Sequence, residues 1–189
     1  TERLRIPVSI DTSKPEVMAA AIDAGASLIN DVRGFREPGA LEAVSDREVA
    51  ICIMHMQGAP RTMQQKPVYE NVVVEVRDFL LQQAAQAMAA GIPRQHIILD
   101  PGFGFGKTVA HNYSLLRHLD VFTEDGFAVL VGMSRKSMIG AVLNNEVEDR
   151  LAGSLALAVL AAERGANIIR VHDVKETVEA LEIQNAMVR

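Results

Sequence analysis

The chain has 189 residues, of which 49% are hydrophobic and 23% charged, with a net charge of −5. That is enough apolar material for a sizeable core, and the acidic balance offers no general field for nucleic acid or a membrane surface. Any anion site must be built locally, and the longest apolar runs, such as 155–162, fall far short of a membrane span.

The first residues, Thr1-Glu2-Arg3, lack an initiator Met, the pattern of a processed product or a fragment, and no signal peptide is expected. Six short apolar runs rich in β-branched residues then recur, at 6–11, 27–32, 49–54, 96–100, 128–133 and 167–172. They read as strands. The segments between them carry helical periodicity, most clearly at 72–90, 112–122, 150–164 and 174–187. Ser13-Lys14-Pro15-Glu16 predicts a further helix start, with a cap residue and an early proline. Runs apolar on both faces, alternating with amphipathic helices, imply βαβ units and a parallel sheet.

Gly25, Gly91 and Gly165 each follow a helical segment and feed the next strand. Glycine accepts the left-handed backbone that closes a helix, so one joint is reused three times. No linker or shift of composition divides the chain, and residues 1–189 are expected to form one domain. The single cysteine, Cys52, lies inside an apolar run and reads as core. It excludes an intrachain disulfide, which fits a cytoplasmic protein. A (β/α)8 barrel typically takes about 250 residues and eight strands. The chain is therefore either an open six-stranded α/β sheet or a barrel short of about two βα units.

Every predicted strand ends in polar residues: Asp11-Thr12-Ser13, Asn30-Asp31, His55, Asp100, Ser134-Arg135-Lys136 and Arg170-Val171-His172-Asp173. In parallel α/β folds the C-terminal strand ends share one face, so these clusters converge on one candidate active site. Arg170 and His172 are two apart and are expected on one side of the sheet. A buried guanidinium beside an imidazole requires an anion, and phosphate oxygens match its paired donors. His111, Asn112 and Tyr113 read as a helix start, and His96 and His118 as surface residues.

The loop Gly102-Phe103-Gly104-Phe105-Gly106-Lys107 has neither the P-loop nor the dinucleotide-binding spacing. It reads instead as backbone lying close over a flat ligand, with Phe105 as a wall.

Six segments together resemble the dihydropteroate synthase family of bacterial folate synthesis. They are Asp-Thr-Ser-Lys-Pro (11–15), Ile-Asn-Asp-Val (29–32), Met-His-Met-Gln-Gly (54–58), Leu-Asp-Pro-Gly-Phe-Gly-Phe-Gly-Lys (99–107), Gly-Met-Ser-Arg-Lys-Ser-Met-Ile-Gly (132–140) and Ile-Ile-Arg-Val-His-Asp-Val (168–174). The resemblance spans essentially the whole chain and implies a (β/α)8 TIM barrel, here a partial barrel of about six parallel βα units matching strands three to eight. The family's first two loops, one with a Mg²⁺-holding Asn and one with Thr-Arg-Pro, have no counterpart here. No metal ligand is therefore expected in this chain, although the family uses Mg²⁺.

The implied transferase joins 6-hydroxymethyl-7,8-dihydropterin diphosphate to 4-aminobenzoate, releasing pyrophosphate. By resemblance Asp100 binds the donor edge of the pterin, Asn30 and Asp11 complete the polar pocket, and Met54 packs against the ring. Lys136 donates to the ring carbonyl, while its stem and Phe105 line the aminobenzoate approach. Ser134 and Val171 contribute to substrate binding. Arg170 and His172 hold the diphosphate, and Asp11 stabilises a pterin methylene cation. Asp11, Lys136, Arg170 and His172 are thus the expected catalytic set. The family also implies a cytoplasmic homodimer and a sulfonamide target. Competing readings are a binding-only or inactive truncated barrel, a methyltetrahydrofolate-binding methyltransferase and a Schiff-base aldolase using Lys136.

Overall fold

The computed structural model describes residues 6–58, 63, 65 and 67–188, and the opening Thr1 to Arg3 lies outside them. Its strands are β1 (Ser9–Asp11), β2 (Leu28–Asp31), β3 (Ala50–Met54), β4 (Ile97–Asp100), β5 (Ala128–Val131) and β6 (Ile168–Ile169). They form one six-stranded sheet in chain order, with every neighbouring pair parallel. The helices are α1 (Pro15–Asp23), α2 (Glu42–Ser45), α3 (Val72–Ala89), α4 (Val109–Arg117), α5 (Ser137–Leu143), α6 (Leu151–Glu163) and α7 (Val174–Val188). None is long and apolar enough to cross a membrane.

The three glycine joints form as expected, with φ of 91° at Gly25, 95° at Gly91 and 91° at Gly165. Two helix boundaries differ from the sequence reading. The helix expected at 112–122 starts at Val109, because Thr108 accepts from the His111 N–H (3.1 Å) while the His111 ring accepts from the Thr108 N–H (3.3 Å). It ends at Arg117, and Leu119–Phe122 forms a separate 3₁₀ turn. Ser13 does not cap α1; Lys14 occupies that position without a side-chain bond, and Pro15 opens the helix. The Ser13 hydroxyl donates instead to Asp31.

Strand register divides the side chains between two environments. Ile29, Ile51, Ile53, Leu99, Val129 and Val131 face the helices and join the main core with Met18, Val76, Leu80, Leu115 and Leu157. The opposite face carries Cys52, Ile98 and Leu130, a small apolar floor flanked by Leu28, Ala50 and Ala128. On that same face Asp11 pairs in register with Asn30, Asn30 with Cys52, and Met54 with Asp100. Asp11 and Asn30 thus lie in register with the apolar floor at Cys52 and Ile98, and Met54 and Asp100 sit two residues further along their strands.

The sheet is curled. Across five strand spacings, a flat six-stranded sheet would hold its outer strands roughly 24 Å apart. Yet Arg170, just beyond β6, donates to Asp11 of β1 at 2.8 Å. Only a barrel-like curvature brings those ends within reach of one side-chain pair.

Asp31 is fully buried at the end of β2 and faces the helix layer. It accepts from Ser13, from the Arg33 N–H (2.8 Å) and from the Phe35 N–H (2.7 Å), and so folds the loop that follows. Replacing it leaves several buried donors without an acceptor. We expect Asp31→Ala to cost about 2–4 kcal/mol, read as a lower urea midpoint with an unchanged denaturant slope.

Candidate active site

The strand-end residues occupy the C-terminal face in three linked groups. The first joins Asp11, Asn30 and Arg170. Asn30 donates through Nδ2 to Asp11 Oδ1 at 3.0 Å, and Arg170 donates to the other Asp11 oxygen. Asn30 is 6% exposed, and its Oδ1 is buried with no hydrogen-bond partner. A buried orphan acceptor is costly, which marks the place where a ligand donor would be accommodated.

This arrangement corrects the expectation of a buried Arg170/His172 pair. The Arg170 N–H still continues the ladder to the Val131 carbonyl at 2.8 Å, and what differs from the expectation is the burial and the pairing. Arg170 is exposed and ion-paired to Asp11 across the mouth of the half-barrel. His172 meets Ser134 instead: the Ser134 hydroxyl accepts from its backbone N–H at 3.2 Å and lies 3.0 Å from its ring Nδ1. Val171 is half-buried between them.

The second group surrounds the glycine loop after β4. Asp100 and Met54 are both buried on the inner face. Asp100 accepts from the Gly102 N–H at 2.7 Å; among the described residues no other hydrogen bond reaches its carboxylate. Burial pushes its pKa up, opposed by the Gly102 bond and by Lys136, Lys107 and Arg170. Lys136 donates to the Phe103 carbonyl and lies 4.4 Å from the centre of the Phe105 ring. Its pKa falls to about 8, lowered first by burial and further by Arg170, while Asp100 works the other way. Asp100, Met54, Phe105 and Lys136 therefore form the walls of one recess.

The loop itself is pinned. Lys107 donates to the carbonyls of Gly102 (2.9 Å) and Phe105 (3.0 Å), Asn112 accepts from the Gly104 N–H (2.7 Å), and Tyr69 donates to the Gly106 carbonyl (2.8 Å). A Cβ on Gly102, which has φ +70°, would lie 1.9 Å from the His55 carbonyl oxygen, so only glycine fits. The loop is a rigid shelf, as close backbone approach to a ligand requires.

The third group orients Ser134-Arg135-Lys136. Arg135 has φ 58°, and its backbone is held by Ser154 (2.9 Å) and by the Arg150 guanidinium (3.0 Å). Its side chain pairs through two nitrogens with Asp173 in the loop after β6. Arg150 reaches this position through the gap at Gly140, where a Cβ would lie 2.3 Å from the guanidinium.

Several contributors were not read from the sequence. Lys107, Asn112 and Tyr69 brace the shelf, and His55, expected among the converging strand-end residues, instead turns to Phe79 of α3 as a buried partner of Lys107 at 2.9 Å. His55 was legible by parity, since it follows the outward-facing Ile53 by two residues. Cys52 is fully buried as expected, but it belongs to the inner floor rather than the helix layer. Burial, with Asp100 and Asp11 adding to it, raises its thiol pKa well above the usual range, so the thiol stays protonated. His96 is half-buried rather than a surface residue, and its Nδ1 has no partner. His118 is exposed as expected. Among the described residues, no three His, Cys, Asp or Glu side chains cluster in a way that could hold a metal.

Residues 1–172 match the family described as pterin binding enzyme. The chain is 53% identical over 185 residues to the dihydropteroate synthase of Escherichia coli K12, covering 98% of this chain and 66% of that protein. It is 49% identical to a Yersinia pestis dihydropteroate synthase crystallised with a sulfonamide drug complex. The TM-score is 0.96, covering 98% of this chain and 68% of that one. A Burkholderia cenocepacia dihydropteroate synthase complexed with 7,8-dihydropteroate gives 51% identity and a TM-score of 0.93 over 98% of this chain and 69% of that one. The chain thus spans about two thirds of the length of the curated relatives it matches.

Lys136 offers a direct check on the electrostatics. A lysine whose folded pKa is about 8, against roughly 10.4 when unfolded, binds fewer protons folded than unfolded between those values. Its contribution to stability therefore grows as pH rises through that window. We expect the Lys136 Cε resonance to titrate near pH 8, and lower in Asp100→Asn, because the carboxylate holds the value up; an unchanged midpoint would contradict the contact.

Proposed function

The chain belongs to the pterin-binding enzyme family, and we propose that it carries the pterin-binding part of a dihydropteroate synthase. The observation that carries this reading is a pair of acceptors on the inner face that lack a partner among the described residues, the buried Asn30 Oδ1 and the Asp100 oxygen not bonded to Gly102. A pterin edge presents adjacent N–H donors beside a ring carbonyl. An ionised carboxylate accepts such donors, while an amide both donates and accepts. In this reading Asp100 and Asn30 hold that edge, with Asp11 beside Asn30. Met54 packs on the ring, and Lys136 donates to the ring carbonyl from above Phe105.

The reaction breaks the bond between the pterin methylene carbon and the diphosphate oxygen. It forms a bond from that carbon to the nitrogen of 4-aminobenzoate, which then loses a proton. Such a reaction is promoted by positioning and by stabilising charge as it develops. Asp11 is the carboxylate for a cationic methylene, and Arg170 and His172, with Ser134 and Val171 beside them, are the residues for the departing diphosphate. Arg170 is exposed at the mouth, with Asp11 as its carboxylate partner among the described residues. Entry of an anionic group would offer it a second partner, leaving Asp11 free to face the reacting carbon.

Mg²⁺ is the cofactor proposed from the family resemblance, where it neutralises the leaving group. The described residues do not assemble a His, Cys, Asp or Glu cluster for it. A single barrel domain, a homodimer and a cytoplasmic location complete the proposal.

A second reading, binding without turnover, is set beside it because the chain spans about two thirds of the length of its curated relatives. Calorimetry with 6-hydroxymethyl-7,8-dihydropterin diphosphate, followed by assay of pyrophosphate release with 4-aminobenzoate, separates the two. The 189-residue chain is expected to bind the pterin and turn over little. Asp100→Asn, which replaces an acceptor with a donor facing N–H groups, should weaken binding about 100-fold. A wild-type chain that binds no pterin, or a variant that binds as well as wild type, would sink the assignment of Asp100.

A further inference from the structure

The most unusual charge in this half-barrel is Lys107. It is 3% exposed, and every group that its ammonium touches is neutral: the carbonyls of Gly102 (2.9 Å), Phe105 (3.0 Å) and His55 (3.4 Å), and His55 Nδ1 (2.9 Å). Burying a cation without a carboxylate is expensive, and an apolar side chain would fill the same space at lower cost. The arrangement makes sense if the ammonium does something that packing alone cannot.

What it holds is the shelf on which the recess is built. Gly102 receives Lys107 at its carbonyl and donates its own N–H to Asp100 at 2.7 Å, so one residue links the ammonium to the carboxylate. Phe105 receives Lys107 at its carbonyl and presents its ring to Lys136 at 4.4 Å. Lys136 also donates to the carbonyl of Phe103, between those two anchor points. His55 follows β3 directly, and its backbone N–H donates to the Asp100 carbonyl at 3.0 Å. The ammonium is thus the common fastener between the end of β3, the loop after β4 and the side chain from the loop after β5.

We propose that Lys107 is a positioning residue of the pterin recess: its ammonium fixes the glycine shelf against the end of β3 and so sets where Asp100, Phe105 and Lys136 stand. The inference rests on the functional reading given above. It goes further by assigning the shelf a charged keystone that touches no substrate. The keystone is also titratable. Burial lowers its pKa to about 7, with Lys136 pushing the same way and Asp100 opposing. The other ionisable groups around it are His55, whose pKa is lowered to about 3 by burial, Lys107 and Arg36, and which therefore stays neutral, and the Asp100 and Lys136 side chains already named. Charged Lys107 donates three strong hydrogen bonds; the neutral amine donates fewer and weaker ones. The ammonium's hydrogen bonds to the shelf are therefore strongest below about pH 7, while burial makes the folded state as a whole favour the neutral amine.

The test uses 6-hydroxymethyl-7,8-dihydropterin, the uncharged alcohol, so that no titration of a diphosphate enters the comparison. Calorimetry at pH 6 should find Lys107→Met binding about 30-fold more weakly than wild type. At pH 8.5 the gap should narrow to a few-fold, because the wild-type lysine is then itself largely neutral. A filler role alone would give a gap independent of pH. As a check free of any variant, the Lys107 Cε resonance of the wild-type chain is titrated with and without saturating pterin. If charged Lys107 favours the binding-competent shelf, bound pterin must raise the Lys107 midpoint by linkage. Equal affinities at pH 6, a gap constant with pH, or a midpoint unmoved by pterin would each overturn the inference while leaving the pterin reading standing. Wild-type protein that binds no pterin would overturn both.

Discussion

Curvature of the sheet is the constraint on which everything else depends. Parallel strands in chain order spread their C-terminal ends along a line, and in a flat sheet Asp11 and Arg170 would lie roughly 24 Å apart. Their ion pair at 2.8 Å requires the sheet to bend until its first and last strands face each other across a common mouth. Bending turns one face of the sheet inward, and there the in-register row Asp11, Asn30, Cys52 and Ile98 runs from polar to apolar. The site is the polar rim of that inner face. β1 and β6 remain the edges of the described sheet, so the closure at the mouth is made by side chains rather than by a strand ladder.

Within that mouth, most of the fine geometry belongs to backbone rather than side chains. The glycine loop lies so near the end of β3 that Gly102 and Gly106 leave no space for a Cβ, with the His55 and Gln57 carbonyl oxygens only 1.9 and 2.6 Å from where one would sit. Three side chains from outside the recess, Lys107, Asn112 and Tyr69, then occupy the loop's own polar groups. The result is a surface whose shape is set from behind. Asp100, Phe105 and Lys136 are held against its other side, through Gly102, the Phe103 carbonyl and the Phe105 ring.

The same economy explains the electrostatics. Burial makes Asp100 reluctant to ionise and makes Lys107 and Lys136 reluctant to stay charged. Asp100 is partly rescued by the two lysines and each lysine by Asp100, while Lys136 depresses Lys107 further, so the three titrate together rather than as isolated groups. A ligand that satisfies Asp100 and Asn30 with its own donors relieves the largest unmet demand in the recess. The family's pterin ring is a chemical match for that demand.

Much of this was legible in one dimension. Strand positions, the three glycine joints, the alternation that puts Asn30 and Asp100 inward, and the convergence of polar strand ends are all local or periodic properties, and β-strand parity carries them directly into space. The motifs from 99–107, 132–140 and 168–174 were specific enough to indicate the family. Parity could not name the partners: Arg170 and His172 are exposed and meet Asp11 and Ser134 separately rather than forming a buried pair. Ser13 left its helix-cap role for Asp31, because a buried carboxylate is a stronger demand than a solvated helix end. Lys107 was given no role in one dimension because its partners are backbone carbonyls and a histidine 52 positions away, contacts that sequence spacing does not reveal. Sequence by itself determined which residues alternate inward and which glycines turn the chain, since those follow from local steric rules. Only the tertiary structure decided who pairs with whom across the mouth and behind the shelf, because those contacts exist only once the sheet has curled.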